Sequence, residues 1–425
     1  MADILKMTPL ENWIREKISA PSAERLKLED LKSYQEKAFW KNFLYAKNNS
    51  TFYRKFYAGV EAGSGFAGME AVPLLREEHL RQFGKQMLCV QQDAIHRIVT
   101  LASSGTTGEP KRVYFTEKDQ ELTVDFFANG MQTFTESGDK VLILLPSATP
   151  GCVGDLLSIG LRRFGAKPLP YGILDDCEKV LALLYAEQPQ VIVANPVQML
   201  LLAYYYEKNR CRFPEKSIAL QAILLSTDYI AESLVSQLQR IFACPVYEHY
   251  GMTEMGLGGA VACTAQKGYH MREADMLFEV VNPETGKQVP VGEYGEVVFT
   301  TLTREAMPFI RYATGDWGRF LPHSCACSTV LPRLDKIAGR LDDAVGITQL
   351  DEILFAYDGI LNYPANLNAE VLELILHCLD ESVSLNLPQI AAALPYQAKI
   401  QVEYGIKPLM YQLAKRQIKS KECSQ

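Results

Sequence analysis

The sequence has no excess of basic residues and no long apolar run, and both absences exclude classes of function. It contains 43 Lys and Arg against 50 Asp and Glu, which gives a net charge of −7. Without a positive field to displace counterions from a phosphate backbone, general nucleic-acid binding is excluded. No uninterrupted apolar stretch reaches the ~18 residues that a membrane span requires. Residues 1–6 also lack the basic and apolar segments of an export signal, so we expect a soluble, cytoplasmic protein with no membrane partner.

Cysteine is too sparse for a disulfide scaffold, since the ten cysteines make up about 2% of the 425 residues. We expect most of them to be reduced thiols in the core. The hydrophobic share of 48% and the charged share of 22% are typical of a folded chain. At roughly 100–200 residues per domain, the length predicts two or three domains.

Three patterns follow one another along the chain. Residues 8–60 have apolar and aromatic positions at helical spacing, which predicts a helical N-terminal cap. Short apolar runs separated by helical stretches then predict βαβ units with a buried, mostly parallel sheet. These runs are Ile98–Leu101, Val141–Leu145, Val191–Ala194 and Ala222–Leu225. From about residue 260, strands divided by turn residues (278–281 and 295–300) predict a smaller β-rich subdomain.

The C-terminal part differs sharply in charge. Between Arg340 and Lys399 there is no Lys or Arg, whereas nine Asp and Glu residues lie there. We interpret residues 1–340 as one large domain containing the cap, the α/β core and the β-rich subdomain. Residues 343–425 would form a small α+β C-terminal domain.

The strongest local motif follows the first predicted strand directly. It consists of Ser103, Ser104, Gly105, Thr106, Thr107 and Gly108, and Lys111 comes shortly after it. Glycines allow a close approach of the backbone to an anion, the hydroxyl and N–H groups can donate to phosphate oxygens, and the lysine adds a positive charge. The motif therefore predicts a nucleotide-phosphate cradle, with a surface turn rich in Ser, Thr and Gly as the alternative.

Together with three further segments, this loop resembles the adenylate-forming superfamily of acyl-CoA synthetases. Tyr250–Glu254 (YGMTE), Tyr312–Asp316 (YATGD) and Gly339–Asp343 (GRLDD) follow in the order expected for that superfamily. The stretch Glu296–Asp316 is similar to the branch of the phenylacetate-CoA ligases almost residue for residue. The resemblance covers roughly residues 30–360.

The resemblance implies a role for each motif. Tyr250 and Gly251 would lie against adenine, Glu254 would hold Mg²⁺, and Asp316 would take the ribose hydroxyls of ATP or AMP. Thr253, Glu254 and Lys111 are the expected catalytic residues, and Arg340 is expected to bind the nucleotide. Asp342 would be the hinge about which a mobile C-terminal domain rotates. Where the family has a glycine-acid-proline stretch beside the base, this chain has Ser226, Thr227 and Asp228.

The C-terminal part departs from the family pattern. Only 82 residues follow Asp343, and none of their lysines lies in the glycine-lysine context of the family's catalytic lysine. Lys407, Lys415, Lys419 and Lys421 are the available cations, and a solvated basic tail is the alternative interpretation.

A second site is predicted by cysteine spacing. Cys263, His270, Cys325 and Cys327 supply three thiols and an imidazole, a set suited to tetrahedral, structural Zn²⁺. Buried thiols and a surface histidine are the alternative. Some proteins of the resembled branch carry similar residues at these places.

We therefore expect an α/β adenylate-forming enzyme that converts a small, aryl-type carboxylic acid and ATP to an acyl-adenylate, and then transfers the acyl group to coenzyme A. Two alternatives remain: transfer to another acceptor, and a non-catalytic nucleotide- or acyl-binding homologue. A homodimer is the default expectation for the oligomeric state.

Overall fold

A computed structural model describes residues 5–21, 24–63, 65–101, 110–212, 217–343, 346–368, 370–411 and 418–421. Within these ranges no helix is long and apolar enough to cross a membrane. The chain folds into two compact units, each built from two separate stretches of sequence. The first unit comprises residues 1–133 and 249–341, and the second comprises residues 134–248 and 342–425.

The described residues form eleven α-helices and nineteen strands. The helices are α1 (Pro9–Lys17), α2 (Leu28–Asn49), α3 (Thr51–Phe56), α4 (Glu77–Phe83), α5 (Glu117–Met131), α6 (Val153–Arg163), α7 (Cys177–Glu187), α8 (Pro196–Asn209), α9 (Glu232–Phe242), α10 (Ile347–Leu354) and α11 (Leu387–Ala393). The strands are β1 (Arg97–Leu101), β2 (Lys111–Phe115), β3 (Lys140–Leu144), β4 (Lys167–Pro170), β5 (Val191–Ala194), β6 (Ala222–Leu225), β7 (Val246–Tyr250), β8 (Ala260–Ala262), β9 (Tyr269–Met271), β10 (Met276–Val281), β11 (Gly295–Thr301), β12 (Tyr312–Gly318), β13 (Arg333–Leu334), β14 (Gly339–Arg340), β15 (Ile360–Asn362), β16 (Ala365–Asn368), β17 (Val371–Cys378), β18 (Gln397–Tyr404) and β19 (Lys419–Lys421).

Antiparallel pairing dominates the first unit. β1 and β2 form a two-stranded hairpin, and β10, β11, β12 and β14 form a four-stranded sheet in that order. β8 pairs with the last two residues of β7 and with β9, which also pairs with β13. The buried side of this unit is aromatic, with Phe39, Phe43 and Phe299 fully enclosed. The register sets Asp316 opposite Arg340, so the strand pairing itself brings a carboxylate and a guanidinium together.

Parallel pairing dominates the first stretch of the second unit. The strands β4, β3, β5 and β6 and the first three residues of β7 lie side by side, all parallel. Every residue of β5 and β6 is buried, because helices α6 to α9 connect the strands and cover the sheet. The second stretch forms a separate sheet in the order β15, β17, β16, β19, with β18 parallel to β17.

The two stretches of the second unit share one hydrophobic core. Leu200 of α8 and Leu238 of α9 belong to the same cluster of buried side chains as Leu350, Phe355 and Leu374. A boundary between the two units lies at residues 341/342. The segment from residue 342 onward packs with residues 134–248 in one unit, and residues 1–340 are divided between the two units.

Most of the predicted elements are confirmed. Helices α1 to α3 occupy the predicted cap, β3, β5 and β6 form the predicted parallel sheet, and β10 and β11 are the predicted late strands. The assignment of Ile98–Leu101 to the parallel sheet is wrong, because among the described strands β1 pairs only with β2, and this pairing is antiparallel. β1 alternates between half-buried and exposed positions, and Ile98 is 49% exposed, as expected for a strand covered on one face.

Candidate active site and metal centre

Lys111 and Glu254 form a buried ion pair in the first unit. Lys111 is the first residue of β2, and Glu254 lies in the short 3₁₀ turn Thr253–Met255 that follows β7. The ammonium Nζ of Lys111 lies 2.5 Å from Oε1 of Glu254 and 3.2 Å from Oε2 of Glu77. The Glu254 side chain is only 1% exposed, so this pair operates with little screening by water.

Two neighbours fix the position of Glu254. The hydroxyl of Tyr312 donates to Oε1 of Glu254 at 3.2 Å, and the buried guanidinium of Arg304 donates to its backbone carbonyl. Burial, with the adjacent Glu254 carboxylate, raises the pKa of Tyr312, so its hydroxyl keeps its proton and acts as a donor. Thr253, the predicted neighbour of Glu254, is half-buried at the start of the turn.

A second group of polar residues surrounds the carboxylate of Asp316. Oδ2 of Asp316 accepts from the hydroxyl of Tyr250 at 2.7 Å, and Oδ1 accepts from Nη1 of Arg340 at 3.0 Å. Burial raises the pKa of Tyr250, and the Asp316 carboxylate reinforces the effect. Three residues that lie far apart in the sequence and were predicted to bind a nucleotide are therefore in direct contact.

Two glycines allow this packing. A Cβ on Gly251 would lie 2.6 Å from the carbonyl of Leu257, which leaves no room for a side chain. Gly315 has φ +76°, and a Cβ there would lie 2.9 Å from Nη2 of Arg340. Any other residue at position 315 would strain the turn and push Arg340 away from Asp316.

The remaining predicted nucleotide residues are distributed as follows. Ser103 to Gly108 lie outside the described residues, in the connection of the hairpin whose ends are Leu101 and Lys111. Ser226, Thr227 and Asp228 follow β6 in the second unit. Thr227 has φ +81°, and its hydroxyl accepts from Nδ2 of Asn195 at 3.1 Å.

The hinge region lies at a boundary between units. Asp342 is the first residue of the second stretch of the second unit. Its neighbour Asp343 accepts from the backbone N–H groups of Gly346 at 3.1 Å and Ile347 at 2.7 Å, next to the start of α10. Lys407, one of the candidate catalytic lysines, lies 3.4 Å from the carboxylate of Glu403.

The four predicted zinc ligands converge in the first unit. The sulfur atoms of Cys263, Cys325 and Cys327 and a ring nitrogen of His270 all lie within 4.8 Å of one another, and all four residues are buried. Cys263 Sγ is 3.5 Å from Cys325 Sγ, and Cys327 Sγ is 3.5 Å from Nε2 of His270. Tetrahedral Zn–S bonds of about 2.3 Å would separate two sulfur ligands by about 3.8 Å, so the donor set fits this ion.

The histidine of this cluster is oriented for metal binding. Its Nδ1 lies 3.2 Å from the carbonyl of Pro332, to which it donates in the tautomer that directs the Nε2 lone pair toward the sulfurs. A hydrogen bond from the thiol of Cys263 lowers the pKa of Cys327, which favours the thiolate. A thiolate is the form that ligates a metal.

Several residues of these sites are absent from the sequence-based assignment. Glu77 contacts Lys111, and Arg304 contacts Glu254. Tyr312 donates to Glu254. It belongs to the motif Tyr312–Asp316, in which only Asp316 was assigned a role. Glu11 of α1, which is fully buried, accepts from Thr329 and Val330 beside the cysteine cluster. Arg304 and Tyr312 lie within or beside recognisable motifs. Glu11 and Glu77 carry no sequence signal, because each is one carboxylate in an ordinary helix.

Comparison with known proteins gives consistent results. A family model described as "AMP-binding enzyme" matches residues 67–302, just over half of the chain. The chain is 30% identical over 358 residues to a phenylacetate-coenzyme A ligase of Thermus thermophilus, covering 79% of this chain and 78% of the relative. It is 26% identical over 419 residues to the phenylacetate-coenzyme A ligase of Escherichia coli, covering 95% and 90%. A solved 2-hydroxyisobutyryl-CoA ligase in complex with 2-HIB-AMP shares the fold, with a TM-score of 0.78 at 19% identity over 91% of this chain and 90% of that one.

Proposed function

The chain belongs to the family of AMP-binding enzymes, in the branch of the phenylacetate-coenzyme A ligases, and we propose that it joins a small carboxylic acid to coenzyme A through an acyl-adenylate. The acid is of the aryl class. The observation that carries this proposal is the contact among Tyr250, Asp316 and Arg340 in the same unit as the buried Lys111–Glu254 pair. The first three residues supply hydrogen-bonding partners for a nucleoside, and Lys111 supplies a positive charge for phosphates.

The nucleotide would be shared among these residues. Asp316 accepts hydrogen bonds from the ribose hydroxyls, and Tyr250 and Gly251 lie against adenine. Arg340 holds the Asp316 carboxylate and adds a positive charge. The loop Ser103–Gly108 and Lys111 bind the triphosphate. The antiparallel register of β12 and β14 supports this division, because it fixes the Asp316–Arg340 contact in the backbone.

Magnesium would be held by Glu254. A single buried carboxylate oxygen suits this ion, which usually takes its other ligands from substrate phosphates and water. Bound there, magnesium supplies positive charge to the α- and β-phosphate oxygens. Tyr312 and Arg304 keep the Glu254 carboxylate and its backbone in place during the reaction.

The chemistry consists of two displacements. The substrate carboxylate attacks the α-phosphate of ATP, and the bond to pyrophosphate breaks. The coenzyme A thiol then loses its proton and attacks the acyl carbon, and AMP leaves. Lys111 offsets the repulsion between the two anions of the first step, and Thr253 lies beside the reacting phosphate. This is positioning and electrostatic stabilisation, and it needs no side-chain nucleophile.

Zinc in the Cys263, His270, Cys325 and Cys327 site would support folding. Four protein ligands close the coordination sphere and leave no open position for a substrate. The ion would tie the segment between β8 and β9 to the loop that precedes β13.

The C-terminal segment would complete the second half-reaction by rotating about Asp342. No lysine in the described part of this segment stands in the family's context, and Lys407 is engaged with Glu403. We therefore expect adenylation to rely on Lys111 and magnesium.

Pyrophosphate release with a panel of aryl and short-chain acids tests the proposal. Acid-dependent release followed by coenzyme A-dependent release of AMP is the expected result. Release of pyrophosphate without any effect of coenzyme A would favour another acceptor, and nucleotide binding without pyrophosphate release would favour a binding protein.

A further inference from the structure

We propose that Glu296 is a positioning residue of the nucleotide site, because its carboxylate fixes the turn that presents Asp316 to the ribose. This inference rests on the proposed function, since it takes Asp316 to accept hydrogen bonds from the ribose hydroxyls. Glu296 is the second residue of β11 and belongs to none of the four motifs. It acts through the backbone of Gly315 rather than by contact with the substrate.

Asp316 lies where the pairing of β11 with β12 is interrupted. Between two flanking residue pairs, β11 has one residue whereas β12 has three. The flanking pairs are Glu296 with Trp317 and Val298 with Ala313. A bulge of this kind bends the strand and leaves its extra residues outside the regular ladder of hydrogen bonds. The backbone of residues 314–316 therefore depends on other partners for its conformation.

Side chains supply these partners. The hydroxyl of Thr314 donates to the carbonyl of Val297 at 2.7 Å and accepts from the N–H of Asp316 at 3.0 Å. Oε1 of Glu296 accepts from the N–H of Gly315 at 3.1 Å. The Glu296 side chain is only 1% exposed, so little water competes for this hydrogen bond. Glu296 and Thr314 together hold the bulge in one conformation.

The backbone of Gly315 is the part of the bulge that most needs to be held. It has φ +76°, and a glycine has more alternative conformations than any other residue. Its carbonyl accepts from the N–H of Leu341 at 2.8 Å, while its own N–H donates to Glu296. Loss of the Glu296 contact would free one end of Gly315, and a rotation there would redirect the Asp316 carboxylate.

The charge of Glu296 has a separate partner. Nη1 of Arg76 lies 3.4 Å from Oε2 of Glu296, and the Arg76 side chain is 38% exposed. Two conservative substitutions separate this ion pair from the hydrogen bond to Gly315. Glutamine keeps the length of the side chain and an acceptor but loses the charge. Aspartate keeps the charge but withdraws the carboxylate by one C–C bond, about 1.5 Å.

The test measures recognition of the ribose. Binding of ATP and of 2′,3′-dideoxy-ATP to the full chain is compared by calorimetry in the presence of Mg²⁺. The unmodified chain should bind ATP at least about tenfold more tightly, because the analogue lacks the hydroxyls that donate to a charged acceptor. Glu296→Asp should reduce this preference at least about threefold, within the usual range for residues in contact. Glu296→Gln should retain it, whereas a role through charge alone predicts the reverse order.

Glu279→Asp is the matched control. Glu279 is a fully buried carboxylate on the neighbouring strand β10 and pairs with Arg311 at 3.0 Å, and it has no contact with residues 314–316 among those the structure describes. Its substitution should leave the preference for ATP unchanged.

Three results would overturn the inference while the proposed function stands: full preference for ATP in Glu296→Asp, an equal loss in Glu296→Gln, or an equal loss in Glu279→Asp. A different result in the unmodified chain would remove its premise. If that chain binds no ATP, or does not distinguish ATP from the dideoxy analogue, the proposed nucleotide site is wrong and this inference falls with it.

Discussion

Oε2 of Glu11 accepts a hydrogen bond from the hydroxyl of Thr329 at 2.7 Å, across 318 positions of sequence. The same oxygen accepts from the backbone N–H of Val330 at 2.9 Å, and Arg25 lies 3.2 Å from the other oxygen. Cys327, one of the four clustered cysteine and histidine residues, is only two positions from Thr329. The first helix of the chain therefore holds the loop that carries two of the proposed zinc ligands.

Glu11→Ala should destabilise the protein by about 2–3 kcal/mol, because it leaves buried donors without an acceptor. The free energy of unfolding in urea measures the effect. Glu16→Ala on the same helix is the control, since the Glu16 side chain is 72% exposed and its ion pair is with the adjacent Arg15. Equal effects of the two substitutions would show that the hydrogen bonds from Thr329 and Val330 to Glu11 contribute no stability.

Protein purified without chelators should contain about one zinc per chain, and Cys325→Ser should lower both the zinc content and the melting temperature. Cys211→Ser is the control, because Cys211 is exposed and lies outside the cluster. Elemental analysis and thermal unfolding give the two readouts. Metal-free protein with undiminished stability would rule out a structural zinc.

Asp316→Ala should weaken ATP binding by about 1.5–3 kcal/mol, because it removes a charge-assisted acceptor and leaves Tyr250 and Arg340 without their partner. Calorimetric titration with ATP measures this loss. Asp335→Ala is a suitable control, since Asp335 also pairs with an arginine, Arg319, at 2.8 Å and belongs to no nucleotide motif. An unchanged ATP affinity in Asp316→Ala would contradict the assignment.

His249 should make the protein less stable in acid. Its side chain is partly buried, its ring lies 6.0 Å from that of Phe127, and burial lowers its pKa to about 4. An unfolded chain binds a proton at His249 below about pH 6.5, whereas the folded chain resists protonation until about pH 4. The stability present above pH 6.5 is therefore lost as the pH falls toward 4, by about 2–4 kcal/mol.

The test compares unfolding free energies at several pH values for His249→Gln and wild type. The variant should lose less stability between pH 6.5 and 4, because glutamine does not titrate. His323→Gln, at an exposed position, should retain the wild-type slope. Identical slopes for all three proteins would mean that His249 does not contribute to acid denaturation.

The sequence identifies the chemistry better than it identifies the supporting contacts. Cys263, His270, Cys325 and Cys327 are recognisable because few other residue types ligate zinc, and the structure brings them together. Glu77, by contrast, is one of fifty acidic residues, and only the fold shows that it faces Lys111.

The packing of the C-terminal segment could not be predicted either, because it depends on contacts between residues far apart in the sequence. Its lack of positive charge marks a boundary, which the structure places at residues 341/342. Composition does not reveal which apolar surface such a segment covers. That depends on the matching of Leu350 and Phe355 to side chains more than a hundred positions earlier.

The last prediction concerns Glu352 of α10, which connects the two stretches of the second unit. Its carboxylate accepts from the hydroxyl of Tyr229 at 2.9 Å and from the backbone N–H groups of Glu232 at 2.9 Å and Ser233 at 3.3 Å. The last two donors are the first N–H groups of α9, so the negative charge of Glu352 also interacts favourably with the positive end of the helix dipole.

Glu352→Ala should therefore destabilise the second unit by about 1.5–3 kcal/mol. Hydrogen exchange locates the effect: backbone amides of α9 and α10 should exchange faster, while those of α2 in the first unit should not change. Glu381→Ala, at an exposed position in the same C-terminal stretch, should change neither the stability of the second unit nor the exchange of these amides.

A C-terminal segment that rotates about Asp342 must break the Glu352 contacts and leave Tyr229, next to Asp228, without its acceptor. If Glu352→Ala leaves the protection of α9 and α10 unchanged, these hydrogen bonds do not hold the segment, and rotation would meet no resistance from them.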